Sequence, residues 1–334
     1  MAPVRVSIVV PVRDEARYLA EALESLSSQT LRDFEAIVVD DGSGDGSAEI
    51  VASHARRDSR FRLVRRPARG LVRALQAGLA EARAPLLARM DGDDVAEPER
   101  LEAQVEALEE EGLDAVGGRV RYFPAEAVRD GSRRYEKWLD GLVTVEAARR
   151  DAFVECPLPH PALVVRNDAL DAVGGYRDEG WPEDYDLVLR LWAAGARFRN
   201  VDRVVLRWRE HGDRLSRVDL RYAQDAFVRC KVHHLGRTLL RGRGALIWGA
   251  GPVGKSFARE LLRQGHRVAA FVDLDPRRLG RTIHGAPVVS VEEAPAYADA
   301  LALGAVSGAE ARAQIREVVA AQGRREGADF VAVA

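Results

Sequence analysis

Residues 36–43 are Ala-Ile-Val-Val-Asp-Asp-Gly-Ser, a short apolar run that ends in two adjacent acids and a turn. Two similar runs are Val6-Ser7-Ile8-Val9-Val10, which ends at Pro11, and residues 85–90, which lead into Asp91-Gly92-Asp93-Asp94. An apolar, β-branched run of this length predicts a strand buried on both faces, as in a parallel sheet. The chain is therefore predicted to have an α/β fold.

Helical patterns separate these strands. Apolar side chains recur at helical spacing after the first strand, and two more helices are predicted at 46–56 and 71–82, around a strand at 61–64. Alternation of strand and helix predicts βαβ units with a parallel sheet. Ligands of such sheets bind at the carboxyl ends of the strands, where the acidic loops at 40–43 and 91–94 would lie.

The alternation loosens between residues 95 and 235. Helices are predicted at 98–111 and 182–194, a strand at 204–208, and long loops with little regular structure at 120–160. Residues 236–244 have the composition of a linker, after which the strand and helix pattern restarts at Ala245. We therefore predict two domains, 1–235 and 245–334, joined by the linker at 236–244.

The composition limits the class of protein. A net charge of -2 over 334 residues gives no electrostatic reason to expect a nucleic acid partner. No apolar run reaches the ~20 residues of a transmembrane segment, and no signal-peptide pattern is evident. Cys156 and Cys230 have the spacing of neither a disulfide framework nor a metal site, and the pair His233-His234 is predicted to lie at the surface. We expect a cytoplasmic protein that could act at the inner face of the membrane only from the surface.

The sequence Asp91-Gly92-Asp93-Asp94 suggests a metal site. Three carboxylates within four residues repel one another unless a cation lies among them. Mg²⁺ or Mn²⁺ takes few protein carboxylates and completes its coordination with phosphate oxygens and water. The alternative is an acidic turn that caps the next helix.

Six short motifs carry a family resemblance. They are Val-Pro-Val-Arg-Asp-Glu at 10–15, Val-Asp-Asp-Gly-Ser at 39–43, Asp-Gly-Asp-Asp at 91–94, Gly-Gly-Tyr at 174–176, Glu-Asp-Tyr-Asp at 183–186 and Arg-Glu-His at 209–211. In this order and spacing they resemble the family-2 glycosyltransferases with the GT-A fold, over most of residues 4–215. The resemblance implies a transferase that moves a sugar from a nucleotide-diphosphate donor to a hydroxyl acceptor, typically in the biosynthesis of cell-surface polysaccharides.

UDP is the most common nucleotide among such enzymes, and the sequence leaves GDP and dTDP open. It also leaves open the sugar, the linkage and the acceptor, which could be a glycan, a lipid-linked molecule or a small molecule.

The resemblance implies roles for particular residues. The loop after the first strand and the Asp-Asp pair hold the nucleotide in the family, which implies this role for Pro11, Val12, Glu15, Asp40 and Asp41. Asp41 is expected to accept a hydrogen bond from the base. A polar turn is the alternative for residues 40–43.

The Asp-x-Asp motif of the family implies that Asp91 points toward the ribose and Asp93 toward the metal, with the part played by Asp94 left open. His211 is expected to close over the diphosphate or the metal, with a solvated loop position as the alternative. Arg73 is expected either to contact the nucleotide or to lie on a solvated face of its helix. His160, between two prolines, is expected on the acceptor side.

The motif at 183–186 holds the candidate base. Inversion at the anomeric carbon requires a carboxylate that takes the proton of the acceptor hydroxyl. Asp184 has the helical phase of buried leucines and valine at 187, 188 and 191, which favours Asp184 as the base and Glu183 as a neighbour on the flank that binds acceptor. The alternative is that both are acids favoured by the helix dipole.

The C-terminal domain begins with a glycine pattern. Gly249, Gly251 and Gly254 follow a predicted strand and open a helix, and Asp273 ends the next strand. This arrangement is typical of a dinucleotide site for NAD(P) or another nucleotide. It resembles the half-size Rossmann domains of polysaccharide-biosynthesis proteins, and a module that serves only packing or assembly is the alternative.

Other functions are weaker. A nucleotidyltransferase would need a glycine-rich, basic phosphate loop after the first strand, and residues 11–15 lack the glycines. The remaining alternative is an NAD(P)-dependent oxidoreductase, or a nucleotide-binding regulator, centred on the C-terminal domain. The sequence therefore predicts a metal-dependent GT-A glycosyltransferase domain followed by a small Rossmann-like, parallel-sheet domain.

Overall fold

The computed structural model describes residues 3–334, which form two compact units. The first unit contains residues up to 149 together with 157–178 and 190–218, and the second contains 150–156, 179–189 and 219–334. Both units are therefore assembled from segments distant in sequence. The single domain boundary at 236–244 stays a prediction, and the division into compact units does not coincide with it.

The first unit is built on one mixed sheet. Its strands are β1 (Val6–Val12), β2 (Phe34–Asp40), β3 (Phe61–Arg65), β4 (Leu86–Arg89), β5 (Val95–Ala96), β6 (Ala115–Phe123), β7 (Val164–Arg166) and β8 (Phe198–Arg209). They lie in the order β3-β2-β1-β4-β7-β6-β8-β5. Strands β3, β2, β1 and β4 pair in parallel, so their carboxyl ends lie at one edge of the sheet. Strand β7 is antiparallel to both of its neighbours, and β5 is antiparallel to β8.

Helices cover this sheet. They are α1 (Ala16–Ser27), α2 (Ser47–Arg57), α3 (Leu71–Glu81), α4 (Arg100–Glu110), α5 (Asp130–Leu139), α7 (Asn167–Ala172) and α9 (Leu215–Val218), while α6 (Val145–Arg150) and α8 (Glu183–Ala193) have residues in both units. Every residue of β1 and β2 is buried, as their apolar runs predict. Helix α3 packs so closely on β1 that a Cβ at Gly78 would lie 2.4 Å from Val9 Cγ1.

The expectation of loops at 120–160 is wrong, because strand β6 continues to Phe123 and helices α5 and α6 follow. Polar and aromatic contacts, not an apolar stripe, hold α5: the Glu136 carboxylate accepts the Tyr122 backbone N–H at 2.9 Å, and the Tyr135 ring lies 6.3 Å from that of Trp208. Only Ser132 and Leu139 of α5 are buried, so few apolar residues mark this helix in the sequence.

The second unit has a smaller sheet. Its strands are β9 (Ala245–Trp248), β10 (Val268–Val272), β11 (Thr282–Ile283), β12 (Ala286–Val289), β13 (Leu301–Gly304) and β14 (Phe330–Ala332), and its helices are α10 (Gln224–Leu235), α11 (Pro252–Arg263) and α12 (Ala309–Ala321). The order is β11-β12-β10-β9-β13-β14, and all pairs are parallel except β11 with β12. The predicted linker begins with a π-helical turn at Gly236–Leu240 that continues α10. Within residues 3–334, no helix has the length and apolar composition needed to cross a bilayer.

His160 belongs to the core of the first unit. It is buried, and its Nε2 lies 2.8 Å from the Tyr176 hydroxyl. Burial lowers the pKa of His160 well below its usual range, and the nearby Arg89 guanidinium lowers it further. The expectation of an acceptor-side position gains no support from this location, because the side chain is nearly closed off from solvent.

The glycines of the second unit permit a stability test. A Cβ at Gly254 would lie 1.8 Å from the Gly249 carbonyl oxygen, whereas a Cβ at Gly251 would meet no atom within 4 Å. Gly254→Ala should therefore lower the free energy of unfolding by about 1–3 kcal/mol, as overpacking does. Gly251→Ala, the matched control, should change it by less than about 0.5 kcal/mol. Urea denaturation followed by circular dichroism measures both, and equal losses in the two variants would contradict the packing described for α11.

The buried imidazole predicts a pH dependence of stability. An unfolded His protonates below a pH of about 6.5, while His160 stays neutral in the fold, so the unfolded state binds the extra proton. The contribution of His160 to the free energy of unfolding is therefore fully present above that pH and is lost as the pH falls below it. Between pH 7 and pH 5, the wild type should therefore lose about 1–2 kcal/mol more unfolding free energy than His160→Gln does. His284→Gln, at an exposed position, is the control. If the free energy of unfolding changes equally with pH in wild type and in His160→Gln, the buried imidazole does not cause the pH dependence.

Candidate active site

An acidic cluster follows β4. Side-chain oxygens of Asp91, Asp93 and Asp94 all lie within 4.8 Å of one another. Asp94 is fully buried, while Asp91 and Asp93 are partly exposed. The loop thus offers two accessible carboxylates above one buried carboxylate, at the carboxyl end of a parallel strand as the sequence predicts.

Glu15 adds a fourth carboxylate to this cluster. It precedes α1, and a Cβ added at Gly92 would lie 2.0 Å from its Oε2 atom. A side chain at residue 92 would therefore displace the Glu15 carboxylate from its present position. Burial raises the pKa of Glu15, and the carboxylates of Asp93 and Asp91 raise it further. Burial likewise raises the pKa of Asp94, with the same two neighbours adding to the effect.

Basic groups surround the cluster from two elements. Arg89, the last residue of β4, places Nη2 2.5 Å from Asp91 Oδ1. At the end of β8, the Arg209 backbone N–H donates to Asp94 Oδ1 at 2.8 Å, and its Nε donates to the Asp93 carbonyl at 2.7 Å. His211 Nε2 lies 2.7 Å from Asp93 Oδ2. The structure therefore brings His211 to Asp93, while its expected position over a diphosphate or a metal stays a prediction. The sequence did not single out Arg89 and Arg209 as partners of this loop.

The cluster fits a hard divalent cation. Glu15 Oε2 and Asp94 Oδ2 are buried and have no hydrogen-bond partner among the described residues. An unpaired buried oxygen costs free energy, and a carboxylate set of this kind is the donor chemistry that Mg²⁺ and Mn²⁺ prefer. Asp91 and Asp93 are the accessible carboxylates that could hold such an ion, with the His211 imidazole next to Asp93.

The Asp-Asp pair after β2 has two structural tasks. Asp40 Oδ1 accepts the Ser43 N–H at 3.2 Å, as in the polar turn considered above. The two carboxylate oxygens of Asp41 each accept one backbone N–H at 2.8 Å, from Arg69 and Gly70. Asp41 thereby holds the loop before α3 against the edge of the sheet. Its carboxylate can accept a base N–H only through the remaining lone pairs.

A cleft of about 300 Å³ lies beside Asp41. It is lined by Asp41, Arg66, Pro67, Arg69, Arg73, Ala74 and Ala77. Arg73 is thus in a cleft next to Asp41, with its Nη1 donating to Gln76 Oε1 at 3.0 Å. Arg66 and Arg69 were missed by the sequence analysis, because arginine is too frequent in this chain for its position to be informative.

The loop after β1 lies against the same edge. Val12 accepts the Asp41 backbone N–H at 2.9 Å, which ties the ends of β1 and β2 together next to Pro11. The Asp45 carboxylate accepts the Ala16 N–H at 2.8 Å, and Ser47 Oγ accepts the Glu15 N–H at 3.0 Å. Helix α1 is therefore capped by a loop that is distant in sequence, which its own N-terminal residues could not indicate.

The two candidate base residues open helix α8 and belong to the second unit. Their burial is the reverse of that predicted from helical phase: Glu183 is 1% exposed, and Asp184 is only half-buried. The Tyr222 hydroxyl explains the difference, because it lies 3.0 Å and 2.8 Å from the two oxygens of Glu183. Asp184 Oδ1 accepts the Tyr185 N–H at 2.7 Å. Asp184 is the more accessible of the two carboxylates.

The glycine turn of the second unit has the expected local form. Gly249 has a φ of +111°, and helix α11 begins three residues later at Pro252. Asp273 Oδ2 accepts the Ala250 N–H at 2.8 Å and the Arg278 Nη1 hydrogen bond at 2.9 Å. The acid predicted to bind a ribose thus already holds the turn and an arginine. Nucleotide binding by Gly249, Gly251, Gly254 and Asp273 stays a prediction.

A second motif in this turn was missed. Residues 249–256 also fit the phosphate-loop pattern Gly-x-x-x-x-Gly-Lys-Ser. In the structure the turn ends before Pro252, so Lys255 and Ser256 lie inside helix α11, where the Lys255 N–H donates to the Gly251 carbonyl at 3.0 Å. The turn before α11 is therefore shorter than the loop that wraps a phosphate in this pattern.

Comparisons with known proteins agree with the geometry. The family model described as "Glycosyl transferase family 2" matches residues 7–173. The putative glycosyltransferase EpsE of Bacillus subtilis is 30% identical over 227 residues, which cover 66% of this chain and 78% of that protein. The amylovoran biosynthesis glycosyltransferase AmsE of Erwinia amylovora is 29% identical over 247 residues, which cover 69% and 90%.

Solved structures share the fold. S. aureus TarS (residues 1–349), in complex with UDP-GlcNAc, matches with a TM-score of 0.57 at 18% identity, covering 89% of this chain and 79% of that chain. The mannosyltransferase PcManGT of Pyrobaculum calidifontis, in complex with GDP-Man and Mn²⁺, matches with a TM-score of 0.51 at 22% identity, covering 69% and 61%. With the GT-A fold, the acidic edge and the sequence match in agreement, the chain belongs to glycosyl transferase family 2.

Proposed function

We propose that this glycosyltransferase transfers a hexose, with inversion, from a nucleotide-diphosphate donor to a hydroxyl acceptor and requires a divalent cation. The observation that carries the proposal is the cluster of Asp91, Asp93 and Asp94 after β4, with the Glu15 carboxylate beside it. Glu15 and Asp94 each have one buried oxygen without a partner among the described residues. Four carboxylates so close together are compatible with a folded site at neutral pH when a cation shares their charge.

The donor nucleotide is assigned to the adjoining edge of the sheet. The cleft beside Asp41 supplies the positive charge of Arg66, Arg69 and Arg73, and arginine pairs well with phosphate oxygens. Asp41 lines this cleft. Pro11, Val12 and Asp40 lie at the ends of the paired strands β1 and β2 next to it in the chain, and we assign them to the same nucleotide site. UDP is our preferred nucleotide, supported by the TarS complex with UDP-GlcNAc, while the GDP-Man complex of PcManGT keeps GDP open.

The metal is assigned to Asp91 and Asp93, with His211 as a further ligand and Mn²⁺ or Mg²⁺ as the ion. The Mn²⁺ in the PcManGT complex supports this choice. When bound, such an ion would stabilise the negative charge that develops on the diphosphate as the glycosidic bond breaks. Arg89 and Arg209 keep the acidic loop in one conformation, because they pair with the Asp91 side chain and the Asp93 backbone.

The base is assigned to Asp184. It is the half-buried carboxylate at the start of α8, whereas Glu183 is held by Tyr222 and nearly inaccessible. Asp184 would take the proton from the acceptor hydroxyl as its oxygen attacks the anomeric carbon. Glu183 then serves to position the start of α8 through its hydrogen bond with Tyr222. Its burial does not favour the acceptor contact expected from the sequence.

The acceptor is proposed to be a growing cell-surface polysaccharide or its lipid-linked precursor. The name of the similar protein AmsE, a transferase of amylovoran biosynthesis, supports this context. For the second unit we propose binding of NAD(P) or another nucleotide at the glycine turn. The open space above Gly251 supports it, and a cleft of about 390 Å³ adjoins the same helix at Pro252 and Ser256.

The metal assignment predicts a variant with no activity. Asp93→Asn keeps the shape of the side chain but removes the charge that binds the cation, so donor-dependent transfer should fall at least ~10²-fold. Excess EDTA should abolish the wild-type activity, and added Mn²⁺ should restore it. The control Asp202→Asn changes an exposed acid of β8 and should be fully active. Undiminished wild-type transfer in EDTA would rule out the metal role.

The base assignment predicts a separation of binding from chemistry. Asp184→Asn cannot accept the proton, so transfer should fall by ~10²–10⁴-fold while nucleotide affinity stays nearly unchanged. Glu183→Gln should lose less, because its side-chain oxygen can still accept from Tyr222. Calorimetric donor affinities beside initial rates distinguish the two. If Glu183→Gln is the inactive enzyme and Asp184→Asn transfers normally, the base is Glu183.

A further inference from the structure

A second cluster of ligand-type side chains lies within the second unit. It contains Asp186 of α8 and Cys230 and His234 of α10, whose ligand atoms all lie within 4.8 Å of one another. The three residues are 2%, 0% and 5% exposed. The sequence indicated neither a metal spacing for Cys230 nor burial for His234, because the third ligand comes from a helix more than forty residues earlier.

The spacing on α10 brings two ligands together. Cys230 and His234 are four residues apart and therefore lie on the same face of the helix. Two ligands at this spacing on one helix, with a third from another element, are a common arrangement in zinc proteins. Asp186 meets this face from the first turn of α8.

Hydrogen bonds already orient the oxygen and nitrogen ligands. His234 Nε2 lies 2.9 Å from Asp186 Oδ1, and the Trp181 indole N–H donates to the same oxygen at 3.1 Å. The Trp181 contact is an outer hydrogen bond of the kind that fixes the direction of a metal ligand. The His234–Asp186 contact joins two of the donor atoms themselves. The carboxylate and the imidazole are thus held close together in a dry environment before any ion binds.

The donor set determines the kind of ion. A thiolate, an imidazole and a carboxylate suit Zn²⁺ or Co²⁺, whereas Mg²⁺ and Mn²⁺ prefer oxygen donors such as Asp91 and Asp93.

We propose that Asp186, Cys230 and His234 form a zinc site that ties α8 to α10. Binding of Zn²⁺ breaks the hydrogen bond between His234 Nε2 and Asp186 Oδ1 and forms a Zn–S bond, with the thiol proton of Cys230 released to solvent. In the bound state neutral His234 donates its Nε2 lone pair and carries its one ring proton on Nδ1. Within the second unit, the ion holds the first turn of α8, which carries Asp184, against α10. The site is distinct from the carboxylate cluster after β4, and the proposal stands whether or not that cluster binds a cation.

Cobalt substitution of the full-length protein tests the proposal. Chelator-stripped protein is titrated with Co²⁺, and a thiolate-to-cobalt absorption band in the near ultraviolet reports a Cys ligand. We expect this band in wild type, saturation near one equivalent, and its loss when Zn²⁺ is added in competition. Zinc should also raise the melting temperature of the stripped protein, because it binds only the folded state.

Matched variants locate the ion. Cys230→Ser and His234→Gln should lose the band and the zinc-dependent increase in melting temperature. Cys156→Ser, which changes the other buried cysteine, and Asp93→Asn, which changes the carboxylate cluster, should keep both. If the wild-type protein shows neither the band nor a zinc-dependent change in melting temperature, the proposal is wrong, whether or not the variants fold. The cluster would then be a buried Asp–His hydrogen bond beside a thiol. Loss of the band in Cys156→Ser with retention in Cys230→Ser would overturn the proposal equally.

Discussion

Repulsion among carboxylates at the carboxyl end of parallel strands is the constraint on which the first unit depends. Parallel pairing of β1, β2 and β4 brings the loops that follow them to one edge, and these loops carry Glu15, Asp41 and Asp91. The fold tolerates this concentration of acids by arranging donors around it. Arg89 and Arg209 pair with the loop after β4, while two backbone N–H groups occupy Asp41.

The remaining strain lies where a ligand would relieve it. Glu15 and Asp94 each keep one buried oxygen without a partner among the residues described, and burial raises the pKa of both. A stable protein rarely keeps such atoms unless they have a function. An apparently costly feature of the fold is thus the same feature that suits the site for a cation and a diphosphate.

Much of this edge could be predicted from sequence. Strands buried on both faces leave apolar runs in the sequence. The acids that follow such a run, Asp91 and Asp93 among them, can be recognised without tertiary information. His211 is recognisable from the Arg-Glu-His motif of the resemblance. Contacts made between distant segments were not predictable. Asp45 caps α1 from another loop, α5 is held by polar and aromatic contacts, and Tyr222 covers Glu183 and reverses the burial that helical phase predicts. Cys230 and His234 gain their partner only when α8 and α10 meet.

The proposed function requires that the protein binds a nucleotide diphosphate together with a divalent cation. A thermal-shift measurement on the wild-type protein tests this binding directly. The melting temperature is recorded with UDP, GDP or dTDP, each with and without Mn²⁺. Ligand at about 100 times its Kd stabilises the folded state by about 2.7 kcal/mol, which corresponds to a shift of several degrees. We expect such an increase in melting temperature with at least one nucleotide, UDP being the first candidate, and only when Mn²⁺ is present. No shift with any nucleotide diphosphate, or an equal shift in EDTA, would contradict the proposed function.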